Sequence, residues 1–361
     1  HAFGKDWLAF LLGWLVAVIG FIAATTVSLG FARYLSSIIP VPIVLTAILL
    51  IIILSAIDLF GIEISSKINI FFTLLSLLGM AIIIALGLPF LGKTDYFQLN
   101  NGLAGVLSAT TLVFFAYIGF EAIVKLGEET KHARQVVPKA LLASIAITSI
   151  LYILVAVSAV SIMAPSELGS SKAPLAEAAA KASGADFSLV FLVVALFAML
   201  STVLVSLIVT SRVLYGMGEK HEFPKIITKV SSKTGAPYVA VLLAMLGAIA
   251  MAFFSDVSIL ARATTFMVFV SFLFVNLSLI ALRYNRYYPG QNFRVPLNIG
   301  KFPLTAGLGA IICAFMLLDY SMFELLVAGI FIAIGLGIYS FEKKFRHRKI
   351  TAGKKKKWAV G

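Results

Sequence analysis

Residues 114–121 of the chain read Phe114-Phe115-Ala116-Tyr117-Ile118-Gly119-Phe120-Glu121. This stretch lies inside an apolar run that covers residues 103–126, so its glycine and its carboxylate fall well inside the run. A charge in the middle of a bilayer costs on the order of 3 kcal/mol unless it faces protein, water or a ligand. We therefore expect a membrane helix that breaks at Ile118 and Gly119.

Nine further apolar spans surround this one, and the composition agrees with a membrane protein. The chain is 61% hydrophobic and 12% charged, with a mean hydropathy of +1.04. Soluble domains have about 45–50% apolar and about 25% charged residues, so secreted disulfide scaffolds, disordered tails and cytosolic enzymes are excluded. We expect an all-α membrane protein of about ten transmembrane helices, at residues 7–32, 41–60, 66–92, 103–126, 137–163, 187–217, 237–254, 260–282, 302–320 and 323–341.

The basic residues predict the orientation of these spans. Ten spans place their connecting segments alternately on two sides, and one side holds 24 of the 29 Lys and Arg residues. By the positive-inside rule that side is cytoplasmic, and it includes the C-terminal tail. The net charge of +13 therefore reflects topology, and no nucleic-acid partner is expected. The five basic residues of the opposite side are Arg33, Lys93, Lys172, Lys181 and Arg262.

Motifs for enzymatic chemistry are missing from the sequence. It has no HExxH, CxxC, GxSxG or Walker phosphate-loop pattern, and its single cysteine, Cys313, lies in an apolar span. The four histidines fall in segments predicted to be cytoplasmic. We therefore expect a protein that is not an enzyme.

The sixth span carries a stripe of small and hydroxyl residues, which includes Ala198, Ser201, Thr202 and Ser206. Such a stripe can line a polar path, or its hydroxyls can bond back to their own helix. Purely structural roles also remain open for two residues of the fourth span. Gly119 can serve close helix packing, and Glu121 can pair with Lys125 one turn further on.

The fourth span and the segment after it carry a longer pattern. The stretch at 114–121 is followed by Glu128-Glu129-Thr130-Lys131 and by Val137-Pro138-Lys139-Ala140. Together they closely resemble the sixth-helix signature of amino acid permeases in the amino acid-polyamine-organocation superfamily. Leu12-Gly13-Trp14 and Phe293-Arg294-Val295-Pro296 agree with the same family, and the resemblance runs from residue 7 to residue 342.

The resemblance implies a fold, a function and a binding site. Family members have an inverted-repeat fold like that of leucine transporters, with broken helices that bind the substrate. The implied function is secondary active transport of amino acids or related amines by alternating access. An exchanger, or a sensor or channel on the same fold, is the alternative. The implied substrate-binding residues are Phe115 as an aromatic gate, Phe120 and Glu121 at the side-chain pocket, and Ala116, Tyr117, Ile118 and Gly119 along the backbone of the break.

The resemblance also suggests a register. If the fourth span is the family's sixth helix, residues 1–361 form a single transporter domain that contains family helices 3 to 12 and ends in a basic cytoplasmic tail at 343–361. The helix that holds the substrate carboxylate would then lie before residue 1, and residues 1–361 would not transport alone. The alternative is that this register is wrong.

Four further positions concern the ion that is coupled to transport. Many proton-linked relatives have a lysine where this chain has Ser76, whereas Ala198, Ser201 and Thr202 resemble the sodium ligands of other transporters with this fold. Carbonyl and hydroxyl oxygens suit an alkali cation. Transport without bound sodium is favoured, and Na⁺ and H⁺ remain candidate coupling ions. No other cofactor or metal is expected.

The segment between the fifth and sixth spans predicts a short helix. Pro174 can start it and Gly184 can end it, because proline suits the first helical turn and glycine the position after the last. This helix is expected either as a lid over the outer vestibule or as a plain surface helix. The expected partners are the amino acid substrate and the lipid bilayer of the cell membrane, and the oligomeric state is open.

Overall fold

A computed structural model describes most of the chain. Its helices are long because the sequence supplies apolar runs with few interior prolines, and only Pro138 lies inside a regular helix among the described residues. The described residues are 6–36, 39–97, 102–120, 122–125, 127, 130–171, 173–220, 223–253, 257–284, 295, 297–320 and 322–358.

The described part of the chain contains thirteen α-helices and one small antiparallel hairpin. In the hairpin, β1 (Asn298–Ile299) pairs with β2 (Phe302–Pro303). The helices are α1 (Asp6–Ser36), α2 (Ile43–Leu59), α3 (Ile62–Gly87), α4 (Gly102–Phe114), α5 (Ala122–Lys125), α6 (Ala133–Ile162), α7 (Pro165–Ser170), α8 (Pro174–Ser183), α9 (Ser188–Glu219), α10 (Tyr238–Ala252), α11 (Val257–Tyr284), α12 (Leu304–Met316) and α13 (Met322–Trp358).

Every predicted span coincides with a helix or, in the fourth span, with a pair of helices. Six helices in the described ranges are long and apolar enough to cross a membrane, and α2, α10 and α12 are shorter apolar helices. The fourth span is divided into α4 and α5. The prediction of an all-α membrane protein with a broken helix is confirmed.

The chain divides into two compact units. The first comprises His1–Ala23 and Leu207–Gly361. In its core the ring of Phe10 lies 5.5 Å from the rings of both Phe223 and Tyr339. The indole N–H of Trp14 donates to the carbonyl of Phe331 over 2.9 Å, which joins α1 to α13. The ring contacts of Phe10 and the indole hydrogen bond of Trp14 thus hold α1 in the core of this unit.

The second unit, Ala24–Ser206, contains all the candidate site residues. Here α3 contacts α6 and α9 through glycines. A methyl group at Gly87 would lie 2.8 Å from the Cα of Ser158, and one at Gly79 would collide with Val194. Small residues let membrane helices approach closely, so these two glycines allow α3 to pack tightly against its neighbours.

Candidate functional site

The fourth span breaks in the middle. The α-helix ends at Phe114, a single 3₁₀ turn covers Phe115–Tyr117, and a non-helical turn follows before α5 begins at Ala122. Gly119 has φ 125°, which L side chains rarely adopt, and its carbonyl accepts from the N–H of Ala122 over 2.9 Å. The prediction of a break at Ile118 and Gly119 is confirmed, although regular helix already ends at Phe114. We call residues 115–120 the break segment.

Side chains of α6 bond to the break segment. The hydroxyl of Tyr152 donates to the main-chain carbonyl of Ala116 over 3.0 Å. The hydroxyl of Tyr117 donates to the hydroxyl of Ser149 over 3.2 Å. The rings of Tyr117 and Tyr152 meet edge to face, with centroids 5.3 Å apart. We call Tyr117 and Tyr152 the tyrosine pair.

The predicted binding residues differ in their exposure. Ala116 and Gly119 are exposed, whereas Tyr117, Ile118 and Phe120 are partly buried. The break segment therefore presents main chain as well as side chains. Glu121 and the side chain of Phe115 lie outside the part that the structure describes. Their roles as pocket carboxylate and aromatic gate remain predictions.

A carbonyl-rich break suits a substrate with an ammonium group. Carbonyls beyond the end of a helix lose the regular N–H partner four residues on, so they accept from other donors. In a membrane such backbone is tolerated where it is buried in protein or lines a water-filled cavity. Ala116 and Gly119 are exposed residues, and the second lone pair of each carbonyl can act as hydrogen-bond acceptor for a cation.

The candidate ion ligands are engaged with protein atoms. The hydroxyl of Thr202 donates to the carbonyl of Ala198 over 3.0 Å, and that of Ser76 donates to the carbonyl of Phe72 over 2.9 Å. Both are bonds within one helix, which is the alternative that the sequence left open for Thr202. Ser201 differs, because its hydroxyl donates to another helix.

Ser201 belongs to a polar cluster between α3 and α9. Its hydroxyl donates to Oδ1 of Asn69 over 2.7 Å and lies 3.3 Å from the hydroxyl of Thr73. The Thr73 hydroxyl in turn donates to the carbonyl of Asn69 over 2.9 Å. We call Asn69, Thr73 and Ser201 the α3–α9 cluster. Asn69 was not among the predicted residues, although an amide side chain in an apolar span is a recognisable signal for interhelical hydrogen bonding.

The two short helices between α6 and α9 pack onto the ends of their neighbours. Pro174 starts α8, and Gly184 ends it with φ 70°, so the predicted short helix is confirmed. Its alanines Ala178 and Ala179 are fully buried in a cluster with Ile83 of α3 and Phe191 of α9. The structure thus anchors α8 by its apolar face.

One ion pair joins α7 to α8. The ammonium of Lys181 lies 2.8 Å from Oε2 of Glu167. The hydrogen bond and charge of Lys181 lower the pKa of the Glu167 carboxyl below its usual value, and the N–H of Ala164 contributes. Within the described ranges, no group of three or more His, Cys, Asp or Glu side chains could hold a metal ion.

Comparisons with known proteins match almost the whole chain. The family model described as "Amino acid permease" matches residues 1–359. A branched-chain amino acid permease of Bacillus subtilis (strain 168) is 24% identical over 371 residues, covering 95% of this chain and 78% of that protein. A branched-chain amino acid permease of Lactococcus lactis subsp. cremoris is 25% identical over 365 residues, covering 93% and 77%. Cationic amino acid transporter 1 of Arabidopsis thaliana is 29% identical over 246 residues, covering 68% and 40%.

Proposed function

The chain belongs to the amino acid permease family and is a membrane transporter for amino acids, and we propose that it works by alternating access around the break segment. The observation that carries this proposal is the interruption of a membrane helix at Phe114, followed by the exposed residues Ala116 and Gly119. A broken helix near the middle of the bilayer supplies backbone groups to a substrate without placing a fixed charge there.

The substrate ammonium is assigned to the carbonyls of the break segment. An ammonium group has three donors and no acceptor, so it suits a set of carbonyl oxygens. The partial negative charge at the C-terminal end of α4 adds to the attraction, because helix dipoles favour cations at that end. The partly buried Ile118 and Phe120 then contact the apolar part of the substrate.

Glu121 is assigned to the side-chain pocket, where its carboxylate would favour polar or cationic side chains. The relatives include branched-chain amino acid permeases and cationic amino acid transporters, so the uptake of both substrate classes should be measured. Replacing Glu121 by Gln removes the charge and keeps the shape. We expect this change to lower uptake of arginine and lysine more than uptake of leucine and isoleucine, with unchanged expression.

The protein is placed in the cell membrane as a multi-pass protein with its C-terminus in the cytoplasm. The support for this orientation is the concentration of Lys and Arg on one side of the predicted spans. The relatives are permeases and transporters, which favours transport over a sensor, a channel or an enzyme.

The decisive experiment is uptake by the purified full-length protein in proteoliposomes. A panel of labelled leucine, isoleucine, arginine, lysine and alanine is compared with vesicles that contain no protein. We expect saturable uptake of at least one amino acid and competition by the unlabelled compound. Uptake no greater than in empty vesicles, under proton and sodium gradients and with internal amino acid for exchange, would contradict the proposed function.

A further inference from the structure

We propose that the tyrosine pair positions the break segment for the substrate ammonium, with Tyr152 holding the carbonyl of Ala116 from α6. The inference rests on the proposed function, because it concerns the same site. It adds two residues, Tyr152 and Ser149, that lie on another helix and that the sequence did not indicate.

The contacts with the break segment come from one face of α6. Tyr152 and Ser149 are three residues apart on α6, so they lie on the same face of that helix. From this face they bond to two consecutive residues of the break segment, to the main chain of Ala116 and to the side chain of Tyr117. The edge-to-face contact of the two rings joins both bonds into one unit.

The carbonyl of Ala116 can accept more than one hydrogen bond. A carbonyl oxygen has two lone pairs, so Ala116 can accept from Tyr152 and still accept from an ammonium group. The hydrogen bond from Tyr152 fixes the orientation of this carbonyl, and so the direction in which its second lone pair can accept a bond. Holding a ligand group in place before binding improves affinity, because less conformational freedom is lost when the substrate arrives.

The break segment leaves the α-helical ladder, in which each carbonyl is oriented by the N–H four residues on, and forms a 3₁₀ turn at Phe115–Tyr117 instead. Regular helix ends at Phe114, and the turn at Gly119 is followed by only four helical residues, Ala122–Lys125. The contacts with α6 therefore replace part of the missing helical framework. If they are lost, the carbonyls can reorient away from the substrate.

The test uses conservative variants of the full-length protein. Tyr152→Phe and Tyr117→Phe each remove one hydroxyl and keep the ring, and Ser149→Ala removes the acceptor of Tyr117. A net hydrogen bond contributes about 1 kcal/mol, so we expect KM for the transported amino acid to rise about fivefold in Tyr152→Phe. We expect kcat and melting temperature to change little. Tyr117→Phe and Ser149→Ala should raise KM in the same direction, and their combination should add nothing further.

Tyr96→Phe is the matched control. The hydroxyl of Tyr96 also bonds to a serine of α6, over 2.7 Å to the hydroxyl of Ser161. Ser161 lies twelve residues after Ser149 in the chain. This variant removes a tyrosine–serine hydrogen bond outside the break segment, together with the bond that the N–H of Gly92 donates to the Tyr96 hydroxyl over 2.8 Å. Its KM should match that of the wild type.

The outcomes separate the two proposals. Absence of uptake by the wild type overturns the proposed function and, with it, the role of the tyrosine pair. Wild-type uptake with unchanged KM in Tyr152→Phe and Tyr117→Phe overturns the tyrosine pair alone. A lower melting temperature without a change in KM has the same meaning, since it shows a purely structural role. If Tyr152→Phe fails to reach the membrane, the KM values of Tyr117→Phe and Ser149→Ala decide.

Discussion

Gly119 makes the turn of the break segment possible. Its φ of 125° lies in a region that favours glycine, and a methyl group there would meet no atom within 4 Å. A substitution at this position is therefore opposed by backbone strain and not by crowding. This identifies Gly119 as a requirement of the turn itself, in place of the close helix packing that its sequence context also allowed.

Gly119→Ala should consequently destabilise the turn. Holding a non-glycine residue in a sparsely populated backbone region costs about 1–3 kcal/mol, so we expect a lower melting temperature and reduced uptake. Gly337→Ala is the control, because Gly337 lies in α13 with open space around it and no positive φ. Equal melting temperatures and uptake rates for the two variants would show that the turn at Gly119 is not required.

The α3–α9 cluster connects two long helices through side chains. Ser201→Ala removes a donor from Asn69, whereas Thr202→Val removes only a bond within α9. Interhelical hydrogen bonds in membranes contribute about 0.6 kcal/mol on average and about 1.7 kcal/mol at most. We expect Ser201→Ala to lower the melting temperature more than Thr202→Val, as measured on the purified protein. A larger loss in Thr202→Val would mean that the cluster does not stabilise the helix pair.

The same two helices carry the candidate ion ligands, and they permit a test of coupling. The Thr202 hydroxyl donates to the Ala198 carbonyl within α9, so both groups have a protein partner without an ion. We expect initial uptake rates to stay constant when choline replaces sodium. A rate that rises with sodium in the wild type, and loses this dependence in Thr202→Val with its fold intact, would instead establish a sodium site.

Hydropathy predicted the helices well, and it predicted the contacts of the site poorly. An apolar run predicts a membrane helix wherever it occurs, and a glycine beside a carboxylate in such a run predicted the break. Tyr152 gave no comparable signal, since one tyrosine in an apolar helix is ordinary. Its bond to Ala116 depends on how α6 lies against the break segment, which is tertiary information. Asn69 could have been noticed, but its partner Ser201 is 132 residues away.

The ion pair between α7 and α8 predicts a dependence on pH. Lys181 lowers the pKa of Glu167, so the pair stabilises the folded protein at pH values above the usual carboxyl pKa. This contribution is lost as pH falls through the lowered pKa. Both side chains are about half exposed, so the effect is small. We expect Lys181→Met to melt slightly below the wild type at pH 7, with the difference vanishing in acid. A difference that stays constant down to acidic pH would contradict this role.

At the scale of the whole molecule, the distribution of charge is the strongest constraint on orientation. The connecting segments on one side of the predicted spans carry five basic residues, and the other side carries the remaining 24. Basic residues near the ends of membrane helices remain on the cytoplasmic side during insertion. The bias comes from the segments after the fourth span, which carry 22 basic residues on one side and three on the other. The segments before it carry two on each side, Lys5 and Lys67 against Arg33 and Lys93.

Accessibility to a membrane-impermeant thiol reagent checks this orientation directly. The sequence contains one cysteine, Cys313, which is buried, so Cys313→Ala gives a cysteine-free background with a modest loss of packing. In that background we expect Lys181→Cys to react in intact cells, because α8 lies between the fifth and sixth predicted spans, in a segment that the charge bias assigns to the outer side. Lys354→Cys in the basic tail should react only after the membrane is permeabilised. The reverse pattern would invert the topology, and reaction of both in intact cells would show that the number of crossings between α8 and the tail is not as assigned.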